Sequence, residues 1–190
     1  MYQYTKMKRN YLNILIACGL ILIASTARVV NTEMHLYNLA PLAAVGLFSG
    51  AVIKDRKIAF LVPLLGQLFA DLYFQLFTSI QGFYDISQFF VYGGLFAATF
   101  LGSRMSQAKP LSILGYTVGA STLFFIISNL GTYLTGLWGY GISGFAKTYV
   151  VAIPFFKNTL IGDLAGSILL FGAYFLLQVA LVKKLQKAKA

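Results

Sequence analysis

Two carboxylates stand inside long apolar runs of this sequence, where an ionisable side chain is costly and its position is therefore informative. Asp71 has Gln67 and Gln75 four residues before and after it, so the three side chains share one face of a helix. Asp163 lies near the start of the last apolar run. Such carboxylates can hold a polar ligand, carry a proton or tie helices together.

Other polar and aromatic groups accompany these acids. Arg28 closes the first apolar run, Asn129 lies late in the fifth, and Lys157 and Asn158 stand just before the last. We predict a cavity in which these groups hold a polar substrate by charge and hydrogen bonds while aromatic rings stack on it. The candidate substrate-binding residues are Arg28, Asp71, Asn129, Tyr133, Trp138, Tyr140, Lys157, Asn158 and Asp163.

The elements that position these residues follow from composition. Of the 190 residues, 58% are hydrophobic and only 11% are charged, against about 25% charged in a soluble domain. The sequence therefore predicts an integral membrane protein and a lipid bilayer as its surroundings. The formal charge of +10 comes from basic clusters beside apolar runs, where they set topology and meet anionic lipid, so nucleic acid is not expected as a partner.

Six apolar segments predict an all-α, polytopic bundle of six transmembrane helices that forms a single domain over residues 1–190. The first segment continues past the basic N-terminal residues for about 28 Å of helix, so we expect a retained helix and not a cleaved signal peptide. The predicted helices are residues 12–30, 39–53, 58–77, 87–103, 111–134 and 159–182.

Basic residues fix the predicted orientation. Twelve of the 15 Lys and Arg residues fall before the first segment, between the second and third, between the fourth and fifth, and after the sixth. The positive-inside rule places that side, and both termini, in the cytoplasm. The outer loops are then residues 31–38, 78–86 and 135–158, and the glycine- and aromatic-rich stretch 131–156 is predicted to be a mobile lid.

Pairs of glycines four residues apart predict where helices approach closely, because small residues let backbones meet in a membrane. The pairs are Gly46 and Gly50, Gly115 and Gly119, and Gly162 and Gly166.

An alternative for the polar residues remains open. Asp163 would then pair with Lys157 or Arg28, Asp71 would be held by the flanking Gln67 and Gln75 and by a neighbouring helix, and all of them would only tie the bundle together. Taken as a set, the polar residues favour a cavity because most of them fall in the outer halves of the segments.

Catalytic and metal-binding patterns are absent from the sequence. One histidine and one cysteine do not provide a metal site, and no nucleophile motif or phosphate-binding loop occurs. We therefore expect neither an enzyme nor a cofactor.

In architecture the chain resembles the substrate-binding S component of energy-coupling-factor vitamin transporters: six helices, termini inside, and polar-aromatic outer loops. The stretches NLAPLAAVGLFSG (38–50) and PFFKNTLIGD (154–163), with Asp71, are also similar to a family of small bacterial membrane proteins labelled putative transport proteins. The resemblance implies uptake of a vitamin-like micronutrient from an outward-facing cavity, in the cytoplasmic membrane of the cell. It also implies a coupling transmembrane subunit with ATPases on separate chains.

One feature departs from the S components. Their first helix carries an AxxxA docking motif, whereas here Ala17 is followed four residues later by Ile21, and Ala24 by Arg28. A protein that works without a coupling module therefore remains open. A second hypothesis, from a different class, is a non-transporting membrane scaffold or assembly subunit.

Overall fold

A computed structural model describes residues 2–187, with side chains described from residue 13 to residue 180. It is all-helical, and its six helices confirm the number predicted from the apolar segments. They are α1 (Tyr2–Glu33), α2 (Leu42–Val52), α3 (Arg56–Phe77), α4 (Ser87–Arg104), α5 (Pro110–Leu134) and α6 (Gly141–Lys187).

Local chemistry fixes several helix ends. The Asp55 carboxylate accepts hydrogen bonds from the backbone N–H groups of Lys57 and Ile58 and so caps α3. Pro110 begins α5, where the missing N–H of proline costs nothing. Between α1 and α2, His35 and Asn38 adopt positive φ angles of 55° and 62°, which let the chain reverse direction.

Among residues 13–180, four helices are long and apolar enough to cross a membrane: α1, α3, α5 and α6. This composition indicates a membrane-associated protein. The helix α2 is apolar but has only 11 residues, which corresponds to about 16 Å of rise, roughly half of a bilayer core.

The helix α2 lies in the centre of the protein. It packs against each of the other five helices, and its residues 43–50 are all buried. A helix that is apolar all round is expected in such a position. Around it, α1 packs on α3 and α5 packs on both α4 and α6.

Glycines bring α2 and α4 together. A Cβ atom at Gly50 would collide with the backbone carbonyl of Thr99, and one at Gly102 would collide with the carbonyl of Leu47. The backbones therefore touch at this crossing, as the pair Gly46 and Gly50 predicted.

The other two glycine pairs have different outcomes. Gly162 and Gly166 of α6 lie against Leu39 and Pro41, in the connection between α1 and α2, so this prediction of close packing is confirmed. The prediction for the pair in α5 is wrong. A Cβ atom at Gly115 would meet nothing within 4 Å, and one at Gly119 would make only an ordinary contact, at 3.7 Å, with the side chain of Leu101 in α4.

The prediction of an outer loop over residues 135–158, with a mobile lid over 131–156, is wrong. The helix α5 continues to Leu134, and α6 begins at Gly141 and runs for 47 residues, or about 70 Å. Gly141 has a φ of +77°, a conformation that glycine adopts without strain. Only the turn 135–140 separates the two helices.

Aromatic packing explains why residues 141–158 are helical. The ring of Phe125 in α5 lies 4.6 Å from that of Phe156 and 5.7 Å from that of Tyr149. The Tyr149 hydroxyl also donates a hydrogen bond to the carbonyl of Ile126 at 2.8 Å. The aromatic residues predicted to form a lid therefore hold an antiparallel α5–α6 hairpin together.

Candidate ligand cavity

A cavity of about 370 Å³ opens among the helices. Its wall is formed by the end of α1, the α1–α2 connection, the start of α2, the middle of α3, the loop 78–86, the start of α4, the second half of α5 and the N-terminal part of α6. Its polar lining residues are Arg28, Asn31, Thr32, Tyr37, Asn38, Gln67, Tyr84, Ser87, Ser128, Asn129, Thr132 and Thr159. Its apolar lining residues are Ala40, Leu42, Ala43, Val91, Phe124, Phe125, Ala152, Phe155 and Phe156.

The cavity lies in the half of the bundle that holds the connections 34–41 and 78–86. The connections 53–55 and 105–109, which are flanked by basic residues, lie at the opposite end. The polar residues therefore do concentrate in one half of the protein, on the side away from the basic connections.

An ion pair stands behind one wall of this cavity. Arg28 Nη2 of α1 lies 2.7 Å from Asp71 Oδ1 of α3, and the guanidinium also lies over the ring of Phe74 at 5.5 Å. Asp71 is completely buried. A buried carboxylate without a counter-charge is costly, and Arg28 supplies that counter-charge.

Three further side chains complete the shell of Asp71. Gln67 Nε2 donates to both carboxylate oxygens at 3.2 and 3.3 Å, Gln88 Nε2 donates to Oδ2 at 3.0 Å, and the Tyr92 hydroxyl donates to Oδ2 at 2.9 Å. With Arg28, these donors engage both carboxylate oxygens. Asp71 therefore joins α1, α3 and α4 and is not itself a lining residue.

Gln88 also connects the buried acid to the loop 78–86. Its Nε2 donates to the carbonyl of Gly82 at 3.3 Å, and its Oε1 accepts from the backbone N–H of Tyr84 at 3.2 Å. From the end of α3, Gln75 Oε1 accepts from the N–H groups of Gly82 and Phe83. The loop is thus held in place, and Tyr84 with it, at the cavity wall.

The tyrosine of this loop keeps its proton. Burial raises the pKa of Tyr84 above its ordinary value, and the nearby Arg28 opposes this only in part. At neutral pH the hydroxyl is therefore a hydrogen-bond donor as well as an acceptor at the edge of the cavity.

Three buried polar atoms have no hydrogen-bond partner among the described residues, and all three belong to residues that line the cavity. They are Arg28 Nε, Asn31 Oδ1 and Gln67 Oε1. A buried polar group without a partner costs about 1–3 kcal/mol, so such groups are rare unless water, an ion or a ligand satisfies them. Because these three atoms have almost no accessible surface, a guest in the cavity reaches them only if the side chains rearrange.

Asp163 has a separate role, at the start of α2. Its Oδ1 accepts from the backbone N–H of Ala44 at 2.9 Å, and its Oδ2 accepts from the Ser121 hydroxyl at 2.7 Å. Pro41, at the N-cap position of α2, makes no side-chain cap. A carboxylate from α6 therefore caps the N-terminus of α2, whose helix dipole favours a negative charge there.

The structure brings two of the nine predicted site residues, Arg28 and Asn129, into the cavity wall. Asp71 stands directly behind it, bound to Arg28. Asp163 does not pair with Lys157 or Arg28, contrary to that alternative, and acts through the backbone of α2. Asp71 and Asp163 do not meet, since each is engaged by its own partners.

The remaining predicted site residues lie elsewhere. Tyr133, Trp138 and Tyr140 are at the α5–α6 turn, outside the cavity wall: Tyr133 accepts a hydrogen bond from the N–H of Gly141, and Tyr140 is 70% exposed. Trp138 lies under the ammonium group of Lys147. The prediction that these rings line the cavity is wrong because they pack within the hairpin.

The two polar residues before the last predicted segment also lie outside the wall. Lys157 is exposed. Asn158 Nδ2 donates to the carbonyl of Tyr37 at 2.9 Å, and so fastens the α1–α2 connection, which does line the cavity, to α6.

Several side chains of the cavity and of the shell around Asp71 were not predicted from the sequence, although two signals point to them. Asn31 follows Arg28 by three residues on the same helical face, but the first predicted segment ends at residue 30. Gln88 and Tyr92 form a polar pair four residues apart at the start of α4. Among residues 13–180, no three His, Cys, Asp or Glu side chains lie close enough together to hold a metal ion.

Helix composition and cavity together define a membrane-associated, all-helical protein with a polar cavity in one half of the bundle. The chain belongs to DUF6580, a family of unknown function whose profile matches residues 8–186. Neither the curated proteins nor the solved structures contain a match to the chain.

Proposed function

We propose that this protein binds a small, vitamin-like micronutrient in the cavity and takes part in its uptake across the cytoplasmic membrane of the cell. The observation that carries the proposal is the cavity itself, a space of about 370 Å³ lined by polar side chains such as Arg28, Asn31 and Asn129 and by the rings of Phe124 and Phe155. A bundle built only for stability fills such a space with its own side chains.

The proposed arrangement is an S-component-like bundle of six spans with both termini in the cytoplasm. The basic connections then face the cytoplasm, as the positive-inside rule requires, and the cavity faces outward. The short α2 crosses together with the irregular residues 34–41. Non-helical backbone is tolerated at membrane depth where it is buried in protein or lines a cavity, and this segment lies between α6 and the cavity.

The partners follow from the same proposal. Uptake needs an energy source, and the resemblance to S components points to a coupling transmembrane subunit with ATPases on separate chains. The small residues of α1 do not offer the expected docking face, because Ala24 is buried and a Cβ at Gly66 of α3 would run into it. We therefore propose either that a coupling subunit docks on a surface other than α1, or that the protein takes up its ligand without such a subunit.

Co-purification tests the proposal. The full-length protein, isolated in mild detergent, is denatured and the released small molecules are identified by mass spectrometry. We expect one compound enriched in the wild type and lost in Ala152→Phe, which fills the cavity from α6. The matched control Ala165→Phe, at an exposed position of the same helix, retains it. A wild-type protein that carries no compound and binds none would refute the proposal.

A second candidate is a non-transporting membrane scaffold or assembly subunit. The observation in its favour is that Asp71 and Asp163 are both fully buried and engaged by side chains or backbone of the bundle. It predicts that native mass spectrometry finds the chain in a larger complex without a small molecule, and that Ala152→Phe does not change the composition of that complex.

A further inference from the structure

An open cleft lies at the end of the bundle opposite the cavity, between the start of α3 and the end of α4. It is lined by Arg56, Phe60, Phe100, Ser103 and Arg104. We infer that this cleft binds the phosphate group of one anionic phospholipid, whose acyl chains lie against the aromatic rings. The cleft is independent of the proposed function, because none of these residues lines the cavity.

Two arginines from different helices supply the positive charge of the cleft. Arg56 is the first residue of α3 and Arg104 is the last residue of α4, and both side chains are exposed. Each guanidinium group carries its N–H donors in a planar fork that matches the geometry of a phosphate group. Two such forks in one cleft can therefore share the oxygens of a single phosphate.

Both guanidinium groups are available to an anion. Nη1 and Nη2 of Arg56 lie 3.4 and 3.3 Å from the carbonyl oxygen of Ser103, which is longer than the usual N–H···O distance of about 2.7–3.2 Å. Within residues 13–180, no Asp or Glu side chain forms an ion pair with Arg56 or Arg104. Asp55, which precedes Arg56 in the chain, uses its carboxylate to cap α3.

Aromatic rings lie deeper along the same two helices. Phe100 is one turn before Arg104, whose guanidinium lies 4.8 Å from the centre of the ring. One turn further, Phe96 packs against Phe60 of α3 at 4.4 Å, and the side chains of Phe96 and Phe100 are 51% and 44% exposed. The rings are thus about 6–12 Å deeper than the charged helix ends. A phospholipid has the same order, from its phosphate in the headgroup region to its chains in the hydrocarbon core.

A defined lipid site differs from the general attraction that basic connections have for anionic lipid. Lys54 and Lys109 lie in the connections next to these two helix ends and are also exposed, but neither lines the cleft. Both lysines contribute to the general attraction and not to the site. Their removal is therefore a control that is matched for charge.

Native mass spectrometry tests the inference. The full-length protein in detergent, freed of co-purified lipid, is mixed with phosphatidylglycerol or with phosphatidylcholine of the same acyl chains, and the fraction that carries one lipid is followed against lipid concentration. We expect phosphatidylglycerol to bind at least about tenfold more tightly, because the ammonium group of phosphatidylcholine would lie beside two arginines.

Double variants show where the lipid binds. Arg56→Gln, Arg104→Gln should bind phosphatidylglycerol at least about tenfold more weakly, whereas Lys54→Gln, Lys109→Gln should change binding by less than about threefold. Arg56→Lys, Arg104→Lys keeps the charge but loses the planar forks, so it should also bind at least about threefold more weakly. All four positions are exposed, so the unfolding midpoints should stay close to that of the wild type.

The other outcomes would overturn the inference. Equal binding of the two lipids, or an equal loss in the arginine and lysine double variants to glutamine, would show only a general attraction of charge. Inorganic phosphate at the same concentration as the lipid should not displace phosphatidylglycerol, because it makes no contact with the rings. Displacement would assign the cleft to a free phosphate and not to a lipid.

Discussion

Asp163 of α6 and Ala44 of α2 are 119 residues apart in the chain, and a hydrogen bond of 2.9 Å joins the carboxylate of one to the backbone N–H of the other. The N-terminus of α2 lies inside the protein, where its first N–H groups have no water to bind. The carboxylate supplies what a local cap residue supplies in other helices. It thereby sets the position of Leu42 and Ala43, which line the cavity.

Removing this cap should destabilise the protein. Asp163→Ala leaves the Ala44 N–H and the Ser121 hydroxyl without their partner, at a cost of about 1–3 kcal/mol for each group. We expect the unfolding midpoint in detergent to fall by about 5–15 °C. Asp163→Asn keeps an acceptor for Ala44 and can donate to Ser121, so it should lose less than half as much. Equal losses in both variants would show that the negative charge, and not the hydrogen bonds, is required.

The Arg28–Asp71 pair should show the behaviour of a buried ion pair. Asp71→Asn leaves the Arg28 charge in the protein without a counter-charge, and we expect a loss of about 3–5 kcal/mol in the free energy of unfolding. The double variant Arg28→Met, Asp71→Leu removes both charges and should be more stable than Asp71→Asn. Chemical unfolding of the three proteins measures the difference. A double variant less stable than the single one would contradict this account.

Close packing of α2 on α4 gives a prediction with a matched control in the same chain. Gly50→Ala places a methyl group against backbone atoms of Thr99 and Ser103, which cannot move without displacing α4. We expect a loss of about 1–3 kcal/mol. Gly115→Ala, in α5, meets nothing within 4 Å, so the higher helix propensity of alanine should stabilise it by up to about 1 kcal/mol. Thermal unfolding in detergent compares them, and equal effects would contradict the close contact.

The aromatic residues of the α5–α6 turn should not contribute to ligand binding. Tyr140→Ala changes a side chain that is 70% exposed and outside the cavity wall, so retention of the co-purified compound should stay within about twofold. Phe155→Ala removes a lining ring, and we expect a loss of about tenfold, equivalent to about 1.4 kcal/mol. Quantitative mass spectrometry of the released compound compares both with wild type. A larger loss in Tyr140→Ala would place the turn in the site after all.

Local patterns in the sequence predict the helices and the contacts within one helix. The lengths of the apolar runs predicted the number of helices, because both burial and membrane crossing require a long apolar helix. The spacing of Gln67 and Asp71 predicted their contact, because residues four apart are neighbours on a helix. Close packing at the glycine pairs was predicted correctly only where another helix or connection lies directly against the two glycines. Gly46 with Gly50 and Gly115 with Gly119 have the same spacing, so only the tertiary arrangement distinguishes them.

The misassigned residues share one cause. The partner of Asp163 is a backbone N–H of a helix far away in the chain, and no side-chain pattern encodes it. Glycines and aromatics in the stretch 131–156 are typical of a mobile loop, yet the rings of Tyr149 and Phe156 find Phe125 in α5. Packing between helices thus overrides a local preference, and it moves Trp138 and Tyr140 away from the cavity.

The orientation of the protein in the membrane gives the last prediction. Gln81 lies in the loop 78–86, near the cavity, and Gln107 lies in the basic connection between α4 and α5; both are exposed. Each is changed to cysteine in a Cys18→Ser background, because Cys18 is itself exposed. If the basic connections are cytoplasmic, a membrane-impermeant maleimide added to intact cells labels Gln81→Cys, whereas Gln107→Cys is labelled only after the cells are permeabilised. The reverse pattern would turn the cavity toward the cytoplasm and exclude uptake from outside by an outward-facing site.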